Sequence, residues 1–352
     1  MARSGVGRSA TPIAGLLAVV LVFGPGRPYE LPEHYRVELE VPPVDAALWF
    51  VARYPQYFNS GEAGLEAWLD GLDARDRVFV LAMAQTLTWA WVEHELAGLD
   101  EQDLQGLTLE TITVIRHKTL NQLELAVHHH PELEGVEFDA DLQDSRFRSG
   151  VFARLVRGIS NCEGQNHLLA VLLGAALEPR AAWEPSIEVE MSGVDGHDLV
   201  RLTGLLLDQP VYVDAWSNLP PFTVDPTQPR AVPSLAELEQ PPRPVIPGLA
   251  GREPHPAEEY TRHPGRSIEL LPGREAPTKR VSLKVRAPRL DEASLARIKD
   301  PWRLYLFARV LHVYDDPRAA GLYQFVLEHH CEDRRPPRPF VCVASETLLE
   351  RL

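Results

Sequence analysis

The chain predicts an α+β fold: a helix-rich first half, a central apolar helix packed on an antiparallel sheet, a proline-rich stretch and a closing helix pair. Three observations carry this. Apolar residues recur at helical spacing from Val44 to about Gly158. After Pro185 the pattern turns to short alternating runs rich in β-branched residues. Between Ser217 and Leu290 there are fifteen of the chain's 31 prolines, too many for regular backbone hydrogen bonding to continue.

The elements follow in order. "VDAALWFVARY" (Val44–Tyr54) and "ARDRVFVLAMAQTLTWAWVEHEL" (Ala74–Leu96) predict the first two helices, the second apolar on so many faces that most of it should be buried. A third is expected over Leu107–His130 with Thr108 as its N-cap, and a fourth over Ser145–Gly158, closed by the glycine. "CEGQNHLLAVLLGAAL" (Cys162–Leu177) predicts the central helix. Strands are expected at Ser186–Gly193, His197–Gly204 and Pro210–Trp216, with Asp208–Pro210 as the turn between the last two. One helix followed by an antiparallel meander defines the α+β class. The stretch 217–290 should be an extended wrap or linker, interrupted by one short strand over Lys279–Val285. Two helices, Asp300–Tyr314 and Asp316–His330, each opening on Asp-Pro as N-cap and first helical residue, should close the chain. The organisation expected is a leader over 1–27, a helical region over 28–157, a core over 158–216, the proline-rich segment over 217–290 and a helical region over 291–352.

The 352 residues are 45% apolar and 24% charged, the balance of a globular chain with a substantial core. With 35 Lys and Arg against 50 Asp and Glu the net charge is −15, and no basic stripe occurs, which argues against a nucleic-acid partner. At the N-terminus Arg3 and Arg8 precede an uncharged, mostly apolar run from Pro12 to Gly24, the layout of an export signal. Export or a cell-envelope location is therefore expected over a cytoplasmic one, with membrane association through this segment. Three cysteines cannot build a disulfide framework; Cys331 and Cys342 can pair, which leaves Cys162 over.

Cys162 stands where the chain enters an apolar helix, and the N–H groups and dipole of a helix start stabilise a thiolate. Thiol chemistry also requires a histidine to take the proton and a carboxylate or amide to orient the imidazole. His197 opens one predicted strand, 35 residues on, and Asp214 ends the next after 17 more. Residues so spaced can meet across a hairpin. The order and setting resemble the transglutaminase-like (papain-like thiol) superfamily, in which a Cys opens a core helix, a His begins the next β-hairpin and an Asp ends it. The pieces that carry the resemblance are "NCEGQNHLLAVLLGAALEPRAA", "GHDLVRL" and "VYVDAW", within Gly158–Trp216.

The resemblance implies a cysteine-dependent acyl transferase, or a hydrolase of peptides or amides. Cys162 is the expected nucleophile, His197 the base and Asp214 the group that orients it. Backbone N–H groups at the helix start, with the side chain of Asn161 or Gln165, are expected to hold the oxyanion. A protein, peptide or amide substrate is expected, with no cofactor and no metal. The alternative is a catalytically silent transglutaminase-like binding or assembly module, since Asn161 stands where the family commonly has glycine and His197 lacks the aromatic usually found two residues on. His167, about 140° around the helix from Cys162, is not expected to face it. His128–His130 and "EHHC" (Glu328–Cys331) have metal-capable residue types but lie at predicted helix ends, where histidine complements the dipole.

Overall fold

The computed structural model describes residues 35–59, 62–97, 99, 112–115, 119, 125–126, 136–137, 151–160, 162–181, 188–194, 197–203, 211–215, 221–223, 266–267, 279–332, 338–350 and 352. Strand β1 (Tyr35–Leu39) leads into helices α1 (Pro43–Arg53), α2 (Gln56–Asn59), α3 (Glu62–Gly71) and α4 (Ala74–Leu96). Helix α1 begins with proline, and α4 is capped by Asp73, whose carboxylate accepts the N–H groups of Arg75 and Asp76 at 2.9 and 2.8 Å. Trp91 and the run Val80–Ala84 within α4 are buried, as its all-round apolar sequence requires.

The third predicted helix is only partly met. Residues 112–115 are helical, but Leu125–Ala126 form strand β2 inside the span assigned to that helix. The alternation Leu123, Leu125, Val127 has period two, and the long helical window had absorbed it. Strand β3 is Val136–Glu137. Helix α5 (Val151–Arg157) ends at Gly158, whose φ of +67° is the left-handed cap expected of it.

After strand β4 (Ile159–Ser160), paired in parallel with β2, comes the central helix α6 (Cys162–Ala181). A five-stranded antiparallel sheet follows: β5 (Glu188–Val194), β6 (His197–Thr203), β7 (Val211–Val213) and β8 (Phe222–Thr223) in a meander, with β9 (Arg266–Ser267) added beyond β5. Helix α6 packs on β5 and β6 and touches α4 and α5. Strand order and direction match the meander expected from the sequence, and the α+β class holds.

Strand β10 (Lys279–Leu283) falls where the interruption of the proline-rich segment was expected, and it pairs in parallel with β1. Most of 217–290, the leader, Thr108 and His128–His130 lie outside the described residues. Helices α7 (Glu292–Leu295), α8 (Pro301–Val313) and α9 (Arg318–His330) follow. Asp300 caps α8 as expected, accepting Trp302 N–H at 3.0 Å. The cap of α9 is shifted by one residue: Pro317 occupies the N-cap, and Asp316 accepts the Arg318 N–H at 3.0 Å from just outside. Strand β11 (Arg338–Pro339) pairs with β3, and a further helix, α10 (Phe340–Leu349), packs on α9. A disulfide joins Cys331, at the end of α9, to Cys342 in α10.

A single apolar core runs from Val37 to Leu348. It holds two fully buried arginines, and hydrogen bonding to backbone carbonyls offsets part of their desolvation. Arg309 donates to Leu155 O at 2.8 Å, and Arg157 to Ala153 O at 3.3 Å. Burial, then the neighbouring charge of Arg154, pushes the Arg157 guanidinium down to about 9, while Tyr57 opposes the shift.

Candidate active site

Cys162 owes its place to the reversal of the chain at Gly158. The Gly158 N–H donates to Arg154 O at 2.9 Å, closing α5, and the left-handed residue turns the backbone into β4. Pairing of β4 with β2 fixes two residues, and α6 then opens with Cys162 as its first residue. The sequence thus sets the cysteine at the end of the helix where orphan N–H groups and the positive dipole end lie.

Asp214 follows the last residue of β7 and is only 2% exposed. Its Oδ1 accepts a hydrogen bond of 3.0 Å from Nδ2 of Asn166 on α6. The Asn166 Oδ1 accepts the N–H of Ala215 at 2.8 Å. A backbone N–H can only donate, so the amide oxygen of Asn166 must face Ala215 and its NH₂ must face the aspartate. Asn166 is itself fully buried. It lies four residues after Cys162, on the same helix face and about 6 Å further along the axis. The carboxylate is therefore fastened to the helix one turn from the cysteine.

His197 is the first residue of β6 and stands opposite Val194 of β5. Strands β6 and β7 pair through Val200↔Val213, Arg201↔Tyr212 and Leu202↔Val211. Asp214 is the next residue past this ladder on the β7 side, and His197 lies three residues past it on β6. The strand that begins with His197 packs on the helix that begins with Cys162. The three residues stand on one helix–hairpin unit, with Cys162 first in α6, His197 first in β6 and Asp214 just past the end of β7.

Gln165, one turn into α6, is 2% exposed. Asn161 lies outside the described residues. His167 is engaged elsewhere, as its helical angle predicts: its Nδ1 is 3.3 Å from an Arg154 Nη on α5. Burial, then the Arg154 charge, pushes the imidazole down to about 3, so it is neutral. In the "EHHC" stretch His329 stacks on Phe325 at 4.0 Å between centroids, and Cys331 is in the disulfide. Among the described residues no three His, Cys, Asp or Glu side chains converge to hold a metal ion. No helix among them is long and apolar enough to cross a membrane.

Asn166 is the residue that sequence reading overlooked. Its signal was present: a lone amide pair, Gln165-Asn166, opens an otherwise apolar helical run, with Asn166 one turn beyond the cysteine. No family model matches the chain, and neither curated proteins nor solved structures yield a match.

Proposed function

We propose that the chain is a cysteine-dependent acyl transferase or amide hydrolase built on a transglutaminase-like core, with Cys162, His197 and Asp214 as its triad. The observation that supports it most directly is the Asn166–Asp214 hydrogen bond, which holds a buried carboxylate one helical turn from a cysteine at a helix start. A buried carboxylate is costly, and an apolar residue at 214 would serve packing alone better. Its retention beside a histidine-bearing strand suits a catalytic orienter.

In the proposed cycle His197 takes the Cys162 proton, and the thiolate attacks the carbonyl carbon of a peptide or carboxamide. The C–S bond forms, and the oxyanion is received by N–H groups at the start of α6 together with Asn161 or Gln165. The C–N bond then breaks as His197 returns the proton to the departing amine. Water or a second amine attacks the thioester, C–S breaks, and the thiol is restored. Asp214 keeps the imidazole in the tautomer that accepts at the nitrogen facing sulfur. The Cys331–Cys342 disulfide fits maturation in an oxidising compartment, in keeping with an export leader.

The test is turnover of a glutamine-containing peptide, followed as ammonia release with and without an added amine. Cys162→Ala and His197→Ala should each abolish it. Asp214→Asn should lower it by roughly 10⁴-fold, as loss of the orienting carboxylate does in the serine form of the triad. The double variant His197→Ala/Asp214→Asn should be little worse than His197→Ala alone, because residues acting as one unit are non-additive. No turnover by the wild type would leave the silent binding module as the reading, and unchanged turnover in Cys162→Ala would end the triad reading.

A further inference from the structure

Asn166 does two things with one side chain. It donates to Asp214 Oδ1, and it accepts from Ala215 N–H, the next residue along the chain. Both contacts are buried just past the end of β7, and they join α6 to the chain at the residue that carries the carboxylate. Packing alone demands neither. An apolar side chain there would serve packing, as the buried Leu169 and Leu173 do elsewhere on the same helix. A carboxylate left with a single rotatable attachment can swing about χ1 and χ2. With Oδ1 held by Asn166, and the backbone beside it held by the same amide, its second oxygen keeps one direction.

We propose that Asn166 is a positioning residue for the reaction: it locks the Asp214 carboxylate so that Oδ2 receives the His197 ring N–H, and through His197 it sustains the Cys162 thiolate. This inference rests on the triad reading above. It adds a fourth member, placed on the nucleophile's own helix, so that nucleophile and orienter are indexed to each other by the rigid rise of one helical turn. The role assigned to Asn166 runs through Asp214 and not through the reacting atoms.

The experiment follows the alkylation rate of Cys162 by iodoacetamide from pH 5 to 9 in the full, oxidised chain, alongside the melting temperature. The other two cysteines are disulfide-bonded, so this rate reports Cys162. In the wild type a thiolate held by His197 should react well below pH 8, and His197→Ala should remove that reactivity. Asn166→Asp keeps an acceptor for Ala215 N–H but sets a carboxyl group against Asp214. It should cut the rate at pH 6.5 by about tenfold or more, the effect expected when an orienting partner is lost. The exchange Asn166→Asp/Asp214→Asn restores an amide–carboxyl hydrogen bond with the carboxylate on the wrong partner. It should recover the melting temperature of Asn166→Asp but not the reactivity.

Recovery of both by the exchange, or a wild-type profile in a folded Asn166→Asp, would overturn the proposal. So would failure of both variants to fold, since Asn166 would then serve the structure alone. A wild type that reacts at pH 6.5 no faster than an ordinary thiol, or no slower in His197→Ala, would sink the triad itself. That result is distinguishable because it involves no change at Asn166.

Discussion

Gly158 holds the most constrained backbone of the site region. Its φ is +67°, and a Cβ built on it would lie 2.8 Å from Arg309 Nε. The guanidinium is the flexible end of a side chain, yet it has no room to move, since Arg309 is fully buried and bonded to Leu155 O. Gly158→Ala therefore combines left-handed strain with displacement of a buried charge. It should cost about 2–4 kcal/mol, read as a shift in urea midpoint. The glycine was legible in the sequence as a helix cap; the arginine behind it was not, because 151 residues separate them. His167 gives a second residue-scale test. Its pKa is 6.5 when unperturbed and about 3 in the fold. The unfolded chain therefore binds the proton first, and stability is complete above about pH 6.5 and drains as pH falls toward 3. His167→Gln keeps a polar partner for Arg154 without a titrating group. Its melting temperature should fall less steeply than that of the wild type across that window, and parallel curves would show that the imidazole is not the source.

Elements were readable where their pattern is long. Helix α4 begins and ends where the apolar spacing said, and α8 starts at its Asp-Pro. Two-residue strands such as β3 and β11 leave no periodicity to read, and they exist only through their partners. Helix α10 was overlooked because its apolar residues crowd together after a proline pair, where strand and helix look alike. The central helix was legible as buried, and Leu168, Leu169, Leu172 and Leu173 are all fully enclosed. What encloses them, α4 and α5 on one side and β5 and β6 on the other, could not be read from the helix itself. Leu172→Ala should cost about 2–5 kcal/mol, the range for a leucine deleted from a packed interior. A variant that melts within a degree of the wild type would show that this helix face is not core.

At the scale of the whole molecule the C-terminal region returns to the first helices. The Trp302 Nε1 donates to Asn59 Oδ1 at 2.6 Å, Arg303 to Ala52 O at 2.9 Å, Tyr305 OH to Arg157 O at 2.8 Å, and Tyr314 OH to Leu87 O at 3.1 Å. Helix α8 is thereby stitched to α1, α2, α4 and α5, contacts that a sequence read in local windows does not contain. Beyond α8, among the described residues, α9 and α10 complete the core, and the disulfide fastens one to the other. It closes a loop with a sequence separation of 11, and a constraint of that length removes about 3 kcal/mol of chain entropy from the unfolded state. The pairing left Cys162 as the remaining thiol, which the count of three cysteines allowed but did not require. Denatured without reductant, the protein should therefore titrate one thiol, and after reduction three. The Cys331→Ala/Cys342→Ala chain should lose about 2–4 kcal/mol, and reductant should then have no further effect on its melting. Three thiols before reduction would mean that the bridge does not form. A melting temperature equal to that of the wild type would mean that α9 and α10 hold each other by packing alone.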